Sequence, residues 1–526
     1  MKKVCLALSL VLASLFLGVL SLAAPSSASE KETLVYVNFR DIRDLNPHLY
    51  GGELYAQNLL YESLVKITPD GIEPWLAESW EISDDGRVYT FHLRRDVAFS
   101  DGEPFDAAAA KANFDAVLDN IERHGWLEMV RLMEGVDAVD DHTLRIRLKE
   151  PYFPMLTELG VTRPMRFISP RCMKEGTTKK GVTGHIGTGP YVLAENVVDQ
   201  QATFVRNENY WGEKPSIRTI KVRVIPDNQT RVLALEKGEI DLIYGKNMID
   251  ADTLERFRGK KGFVTSLSDP VSTRMLLLNT TKGALTQREV RQALQHAVDK
   301  KALSEGIFNG IESPADTVLA RTVPYCDVDL KSYAFDLEAA GRLLDEAGWV
   351  REAGRPFRSR QGETLQMTLL YNSNSVSEKT LSEYFQSLWA ELGVDLKILG
   401  EEEQSYRDRQ KAGDFDIVFN ISWGTPYDPQ SFLSAMRTVV YGDYAAQQGL
   451  ACKADLDDRI ARVLVTTDAD RRQELFTSIL TTLHEEAVYL PLTYERNRAI
   501  FSDRVLGVTY NPSQFEVPFE KMSLAD

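Results

Sequence analysis

The sequence predicts an α/β or mixed architecture organised in two or more lobes. Three observations carry that expectation. Short β-rich runs alternate with capped amphipathic helices. The 526 residues, about 500 without the first stretch, exceed what one hydrophobic core supports. No internal repeat or long low-complexity segment points to another architecture.

TLVYVNF (Thr33 to Phe39) and YTFHLR (Tyr89 to Arg94) read as strands, rich in β-branched and aromatic residues. Asp106 is placed to cap a helix whose apolar face is Phe114, Val117, Leu118 and Ile121, ending near Arg123 to Trp126. Thr286 and Glu289 have capping-box spacing ahead of Val290, Leu294 and Val298. Asp336 opens a helix through Leu337, Ala340, Leu343 and Leu344, closed by Gly348. LQMTLLY (Leu365 to Tyr371), a helix through Leu381, Phe385, Leu388 and Leu392, then Gly393 and VDLKIL make a βαβ-like unit. FDIVFN (Phe415 to Asn420) adds a strand, so the second half reads as one α/β lobe.

The first residues set the compartment. Two lysines, an apolar run from Val4 to Leu22 and small residues up to Ala28 have the order of a secretory signal peptide, residues 1–28, with the mature chain starting near Ser29. An uncleaved anchor is the competing reading. Cys5 precedes most of the apolar run and is followed by Leu6, which is poor placement for a lipid-modified N-terminus. The expectation is a soluble periplasmic protein.

Cleavage removes Lys2 and Lys3 and no acidic residue, moving the formal charge from −16 to −18. A chain this acidic lacks the basic footprint that nucleic acid requires. Cys172, Cys326 and Cys452 are far apart with no CxxC spacing, which speaks against a zinc or redox motif and leaves at least one thiol free. The seven histidines (His48, His92, His124, His142, His185, His296 and His484) form no H-x-H or i,i+4 pair. A self-contained metal site would cluster its imidazoles or thiolates. There is no G-x-S-x-G elbow and no H-E-x-x-H; HEEA (His484 to Ala487) lacks the second histidine and lies in an amphipathic helix with Ile479, Leu480 and Leu483, so no enzyme is expected. The acidic run Glu401 to Glu403 reads as a solvated loop after a strand.

Four segments stand together: WLAESWEISDDGRVYTFHLRRDVAFSDGEPF (Trp75 to Phe105), GTGPY (Gly187 to Tyr191), RNENYWGEKP (Arg206 to Pro215) and VIPDNQTRVLALEKGEIDL (Val224 to Leu242). Physically they are scaffold: DDG and SDG are turns between strands, GTGPY a loop entering a strand, YWG an aromatic packed near a turn. In this order they resemble the peptide/nickel family of extracytoplasmic solute-binding proteins (family 5), over essentially the whole mature chain. The nickel-binding branch is the most similar, through LNPHLY (Leu45 to Tyr50), ERHGWLE (Glu122 to Glu128), TRPMRFISP (Thr162 to Pro170) and SWGTPYDPQSFLSAMR (Ser422 to Arg437).

The resemblance implies a two-lobed periplasmic binding protein fold with a ligand cleft between the lobes. Lobe I is expected over residues 29–272 and 496–526, with an inserted subdomain about 75–195, and lobe II over residues 273–495. It further implies a monomer, without a permanently bound cofactor, that delivers nickel in a small carboxylate-bearing organic chelate to an ABC permease. Chelator identity and the choice of nickel over cobalt stay open, and a di- or oligopeptide is the alternative ligand. Matching motif positions nominate Arg123, Trp126, Arg163, Trp423 and Tyr427, with Tyr50 as a weaker candidate. Two guanidinium forks suit carboxylates, and the aromatics supply walls for the chelate.

Two positions refine this. Nickel-binding relatives can carry a histidine shortly after S-x-M-R, where this sequence has Tyr441, so the resemblance carries over no metal ligand at this position and whether any side chain coordinates the metal stays open; a phenol of pKa near 10 is a poor donor at neutral pH. Peptide binders usually place an aspartate three residues after the tryptophan, where this sequence has Pro426, and Asp428 reads as a turn-stabilising residue.

Overall fold

A computed structural model describes residues 32–246, 248–439 and 442–525; the expected signal peptide and Tyr441 lie outside them. Two long antiparallel strands, Phe263–Leu278 and Tyr489–Ser502, form the spine of a central sheet that runs through both lobes. On one side Tyr489–Ser502 pairs with Leu242–Tyr244, followed outward by Thr33–Asn38, Thr219–Val224, Gln201–Arg206 and Tyr191–Val197. On the other, Phe263–Leu278 pairs with Ile417–Ile421, followed by Gln366–Asn372 and Asp395–Glu401. The spine's burial follows its sequence. FVTSLSDP is mostly half-exposed, whereas Met275–Leu278 is buried on both faces, as an apolar run in a covered sheet should be.

Between these halves the ladder of the two long strands breaks register at Leu267/Pro270 and Pro270/Ser272, where proline can give no ladder hydrogen bond. Beyond the break Ser272 is paired with Glu495. Buried charges gather there. Lys246 Nζ donates to Glu495 Oε2 at 2.5 Å and Ser272 Oγ to the same oxygen at 2.7 Å. Arg274 Nη2 donates to Glu495 Oε1 at 2.5 Å and to Glu312 Oε1 at 3.2 Å, and Arg498 Nη2 reaches the same Glu312 oxygen at 3.3 Å. Burial opposes the charge on Glu495, and Arg274 and Lys246 outweigh it, holding the carboxyl below its usual range.

A separate four-stranded antiparallel sheet, in spatial order Ala77–Ile82, Val88–Leu93, Thr143–Leu148 and Met133–Asp140, packs against the helix Ala107–Leu118. Its core is continuous with that of the second half of the chain: Phe91, Leu127 and Met155 belong to the same cluster as Phe432, Ile460 and Ile479.

Most local readings hold. Asp106 and Asp336 accept from the backbone N–H groups of Ala109 and Ala339, each at 2.8 Å. Gly393 ends the helix Val376–Leu392 in the left-handed region, and Gln366–Asn372 pairs parallel with Asp395–Glu401. Cys172, Cys326 and Cys452 are all free.

Three readings are corrected. The Asp106 helix stops at Leu118, because the chain breaks at Asp119–Asn120 and starts a one-turn helix, Ile121–His124, leaving Ile121 exposed. Thr286 does not cap: it ends a 3₁₀ turn, Gly283–Thr286, its hydroxyl donates back to Gly283 O at 2.9 Å, and the helix Arg288–His296 starts after Gln287. Nor is the acidic run an unpartnered loop. Glu401 accepts from Arg409 and Ser405, Glu402 caps the Gln404 N–H, and Glu403 pairs with Arg407 in the helix Glu403–Ala412.

Candidate ligand-binding site

Tyr50 comes from the loop after Asn46, which is tied down by buried groups. His48 Nδ1 meets Thr178 Oγ1 at 2.9 Å and its Nε2 meets Arg166 O at 3.1 Å, while Asn46 Nδ2 donates to Thr178 O at 2.8 Å. His48 is therefore a scaffold histidine, held neutral by burial, which lowers its pKa to about 3. Arg123 and Trp126 leave the one-turn helix Ile121–His124, the arginine exposed and the indole half-buried. Arg163 follows the turn after the helix Met155–Leu159, and its Nη1 donates to Gly52 O at 2.8 Å.

From the other half of the chain, Trp423 and Tyr427 sit on a loop that Asp428 shapes from within. Its two carboxylate oxygens accept the Trp423 N–H at 3.1 Å and the Gly424 N–H at 2.8 Å, the turn-stabilising task expected of it. Burial raises its pKa to about 6 against these bonds. Gly424 has φ +72°, and a Cβ there would stand 2.5 Å from Val271 O, so glycine is required at this point. Gln514, from the C-terminal segment, donates to Trp423 O at 2.7 Å.

All six residues converge. Trp126 Nε1 donates to Tyr50 Oη at 2.6 Å. Arg123 and Arg163 lie over the Tyr50 ring, their guanidinium carbons 5.3 Å and 5.5 Å from its centroid. Across the cleft, the Trp126 ring is 6.1 Å from Trp423 and 6.1 Å from Tyr427, and the latter two are 6.2 Å apart. Among the described residues no carboxylate is ion-paired with Arg123 or Arg163. Burial pulls the Arg163 pKa down and pushes Tyr50 and Tyr427 up, the last to about 12, so the phenols stay neutral beside two cations. The result is a cationic, aromatic-walled cluster with unused guanidinium hydrogen-bonding capacity, suited to a carboxylate-bearing ligand with a flat or bulky body.

Three groups at the site did not stand out in the sequence. His124 is fully buried, and its Nδ1 lies 2.9 Å from Tyr50 Oη. Glu158 and Glu128 accept hydroxyls from the opposite half, Ser431 at 2.9 Å and Ser434 at 2.5 Å. Ser431 and Ser434 are spaced i,i+3 on one helix face of the S-x-M-R segment, a signal that gains meaning once the facing carboxylates are known. Phe153 N–H also donates to Leu464 O at 2.8 Å, and Arg472 stacks on Phe153, its guanidinium carbon 3.4 Å from the ring centroid.

With this geometry in view, comparison with known proteins gives a consistent result. The family model for bacterial extracellular solute-binding proteins, family 5 (middle region), matches residues 71–442. The chain belongs to this family. Its members are transport binding proteins rather than enzymes. The chain is 44% identical to the nickel-binding periplasmic protein of Escherichia coli (strain K12), covering 92% of this chain and 93% of the other. NikA from Brucella suis, solved in complex with Fe(III)-EDTA, superposes with a TM-score of 0.92 at 47% identity, covering 94% of this chain and 99% of that one. The dipeptide-binding protein of E. coli (strain K12) is more distant, at 28% identity over 94% of this chain and 95% of its own. The two-lobed α/β architecture of this family 5 protein is thus established.

Proposed function

We propose that this family 5 protein is the periplasmic substrate-binding component of an ABC importer, capturing nickel as a complex with a small carboxylate-bearing organic chelator and handing it to an inner-membrane permease. The observation that carries this reading is the convergence of Arg123 and Arg163 on Tyr50, facing Trp126, Trp423 and Tyr427, with no carboxylate of the described residues ion-paired to either arginine. The 44% identity to a nickel-binding periplasmic protein and the likeness to a protein holding Fe(III)-EDTA, a multi-carboxylate chelate, support the same ligand class.

In this mechanism the arginines take the ligand's carboxylates and the aromatics cover its body. Contacts from both sides favour the closed arrangement over the open one, and that difference is what a permease reads. The lobes divide near residue 272 and near residue 495, a reading supported by the register breaks at Leu267 to Ser272. The protein acts as a monomer, exported by the segment 1–28.

Native mass spectrometry with metal analysis of the protein purified from its own periplasm tests the proposal. Co-purification of nickel with a carboxylate-bearing small molecule is expected. Calorimetry showing tight binding of unmetallated di- or oligopeptides and none of nickel chelates would overturn it.

A further inference from the structure

His124 has no place in the ligand contacts described above, yet it is fully buried two residues before Trp126. Its Nδ1 lies 2.9 Å from Tyr50 Oη, and its Nε2 is buried with no hydrogen-bond partner among the described residues. The neutral ring carries one N–H, and which nitrogen bears it decides what Tyr50 can do. Were the proton on Nε2, a buried donor would be left without an acceptor, the rarer and more damaging kind of orphan. With the proton on Nδ1, only a lone pair is left unmatched. Burial, and then the neighbouring Arg123, lower the His124 pKa to about 4, so the ring is neutral at physiological pH.

Trp126 Nε1 can only donate, and it donates to Tyr50 Oη at 2.6 Å. An Nδ1–H on His124 supplies a second donor to the same oxygen. Both acceptor positions of the phenol are then filled, and its own O–H must point elsewhere. We infer that His124 is a positioning residue that, with Trp126, locks Tyr50 as a hydrogen-bond donor to the captured ligand, so that this position selects ligands presenting an acceptor oxygen such as a carboxylate. The inference rests on the chelate reading of the site and adds to it a specificity-determining group. Both guanidiniums lie over the Tyr50 ring, so the cations that would draw an anion stand beside this phenol.

A double-mutant cycle read by calorimetry with Fe(III)-EDTA tests this. Tyr50→Phe and His124→Leu are each expected to weaken binding about tenfold. The double variant should be no weaker than Tyr50→Phe alone, since His124 acts only through the hydroxyl. His124→Asn, whose amide N–H can take the place of Nδ1–H, should restore binding to within about twofold. Wild-type affinity in His124→Leu, or a His124→Leu loss that persists in the Tyr50→Phe background, overturns the inference. Nitrogen-15 NMR of the unaltered protein covers the case in which the leucine variant does not fold: a protonated Nδ1 and bare Nε2 are expected at His124, and the reverse tautomer overturns it. Failure of the unaltered chain to bind Fe(III)-EDTA would count against the chelate reading, while the tautomer measurement would still decide the role of His124.

Discussion

Ser431 and Glu158 are bonded across the cleft, the Ser431 hydroxyl donating to Glu158 Oε1 at 2.9 Å. Glu158 also accepts the Tyr152 hydroxyl at 2.7 Å and the Met129 N–H at 3.0 Å, both from its own side. The opposite half therefore supplies the last of three donors to a carboxyl group that is otherwise walled in. In the open form of the proposed mechanism that donor would be withdrawn and water admitted, so the Ser431 contact is expected to favour the closed form. Ser434 repeats the arrangement one turn on, against Glu128.

Ser431→Ala should accordingly weaken ligand binding without unfolding the protein. One hydrogen bond of this kind contributes about 0.5–1.5 kcal/mol, which corresponds to a loss of roughly two- to tenfold in affinity. Small-angle scattering should show a more open ligand-free ensemble for the Ser431→Ala, Ser434→Ala pair. Unchanged affinity and unchanged dimensions would mean that the two serines do not hold the cleft shut.

Burial raises the Glu158 pKa to about 7, against the three donors that favour its charge. A carboxyl whose folded pKa lies above its unfolded value favours folding while it is protonated, and that advantage falls away as pH rises from about 4.5 through about 7. The difference is on the order of 3 kcal/mol for this fully buried group. Glu158→Gln, which cannot ionise, should flatten the decline of denaturation midpoint across that window. The comparison must be against the unaltered chain, because Asp428 and Asp443, each raised to about 6 by burial, contribute in the same direction. Identical pH profiles for the two proteins would show that Glu158 titrates normally.

Arg163→Ala removes a guanidinium that, among the described residues, donates to Gly52 O and faces the Tyr50 ring. Charged hydrogen bonds contribute about 1.5–3 kcal/mol, so binding of Fe(III)-EDTA should weaken roughly ten- to a hundredfold with little change in denaturation midpoint. Arg163→Lys should recover only part of the loss, since an ammonium cannot grip a carboxylate in bidentate fashion. Wild-type affinity in Arg163→Ala would remove this residue from the site.

Elements whose signals are local were legible in the sequence. Asp106, Asp336 and Gly393 announce their helix ends because a cap acts on backbone groups two or three residues away. The six clustered residues were legible only through motif resemblance, since no spacing rule relates Tyr50 to Trp423. His124 and Glu158 escaped for a different reason. A lone histidine or glutamate has no periodic signature, and its meaning comes from what the fold brings against it: Tyr50 from 74 positions away and Ser431 from 273. Thr286 misled because the 3₁₀ turn Gly283–Thr286 gave its hydroxyl a nearer carbonyl than the helix start it was expected to serve.

Glu495 joins the two halves of the chain at the paired strands, taking Lys246 from one direction and Arg274 from the other at 2.5 Å each. Its side chain is almost wholly buried; if its charge were removed, Arg274 and Arg498 would keep their ion pairs with Glu312, while Lys246 would lose its ion-pair partner among the described residues. Breaking a buried ion pair by neutralising one partner costs about 3–5 kcal/mol, because the desolvated cation that remains has lost its compensation. Glu495→Gln keeps the shape and removes the charge, so chemical denaturation should show a loss of that order. The folded charge on Glu495 is favoured by its cations, so the stability it contributes is present above the ordinary glutamate pKa and fades as pH falls towards its depressed value. The gap between the unaltered protein and Glu495→Gln should therefore narrow on strong acidification; a gap that stayed constant with pH would mean that packing, and not the ion pairs, accounts for the loss.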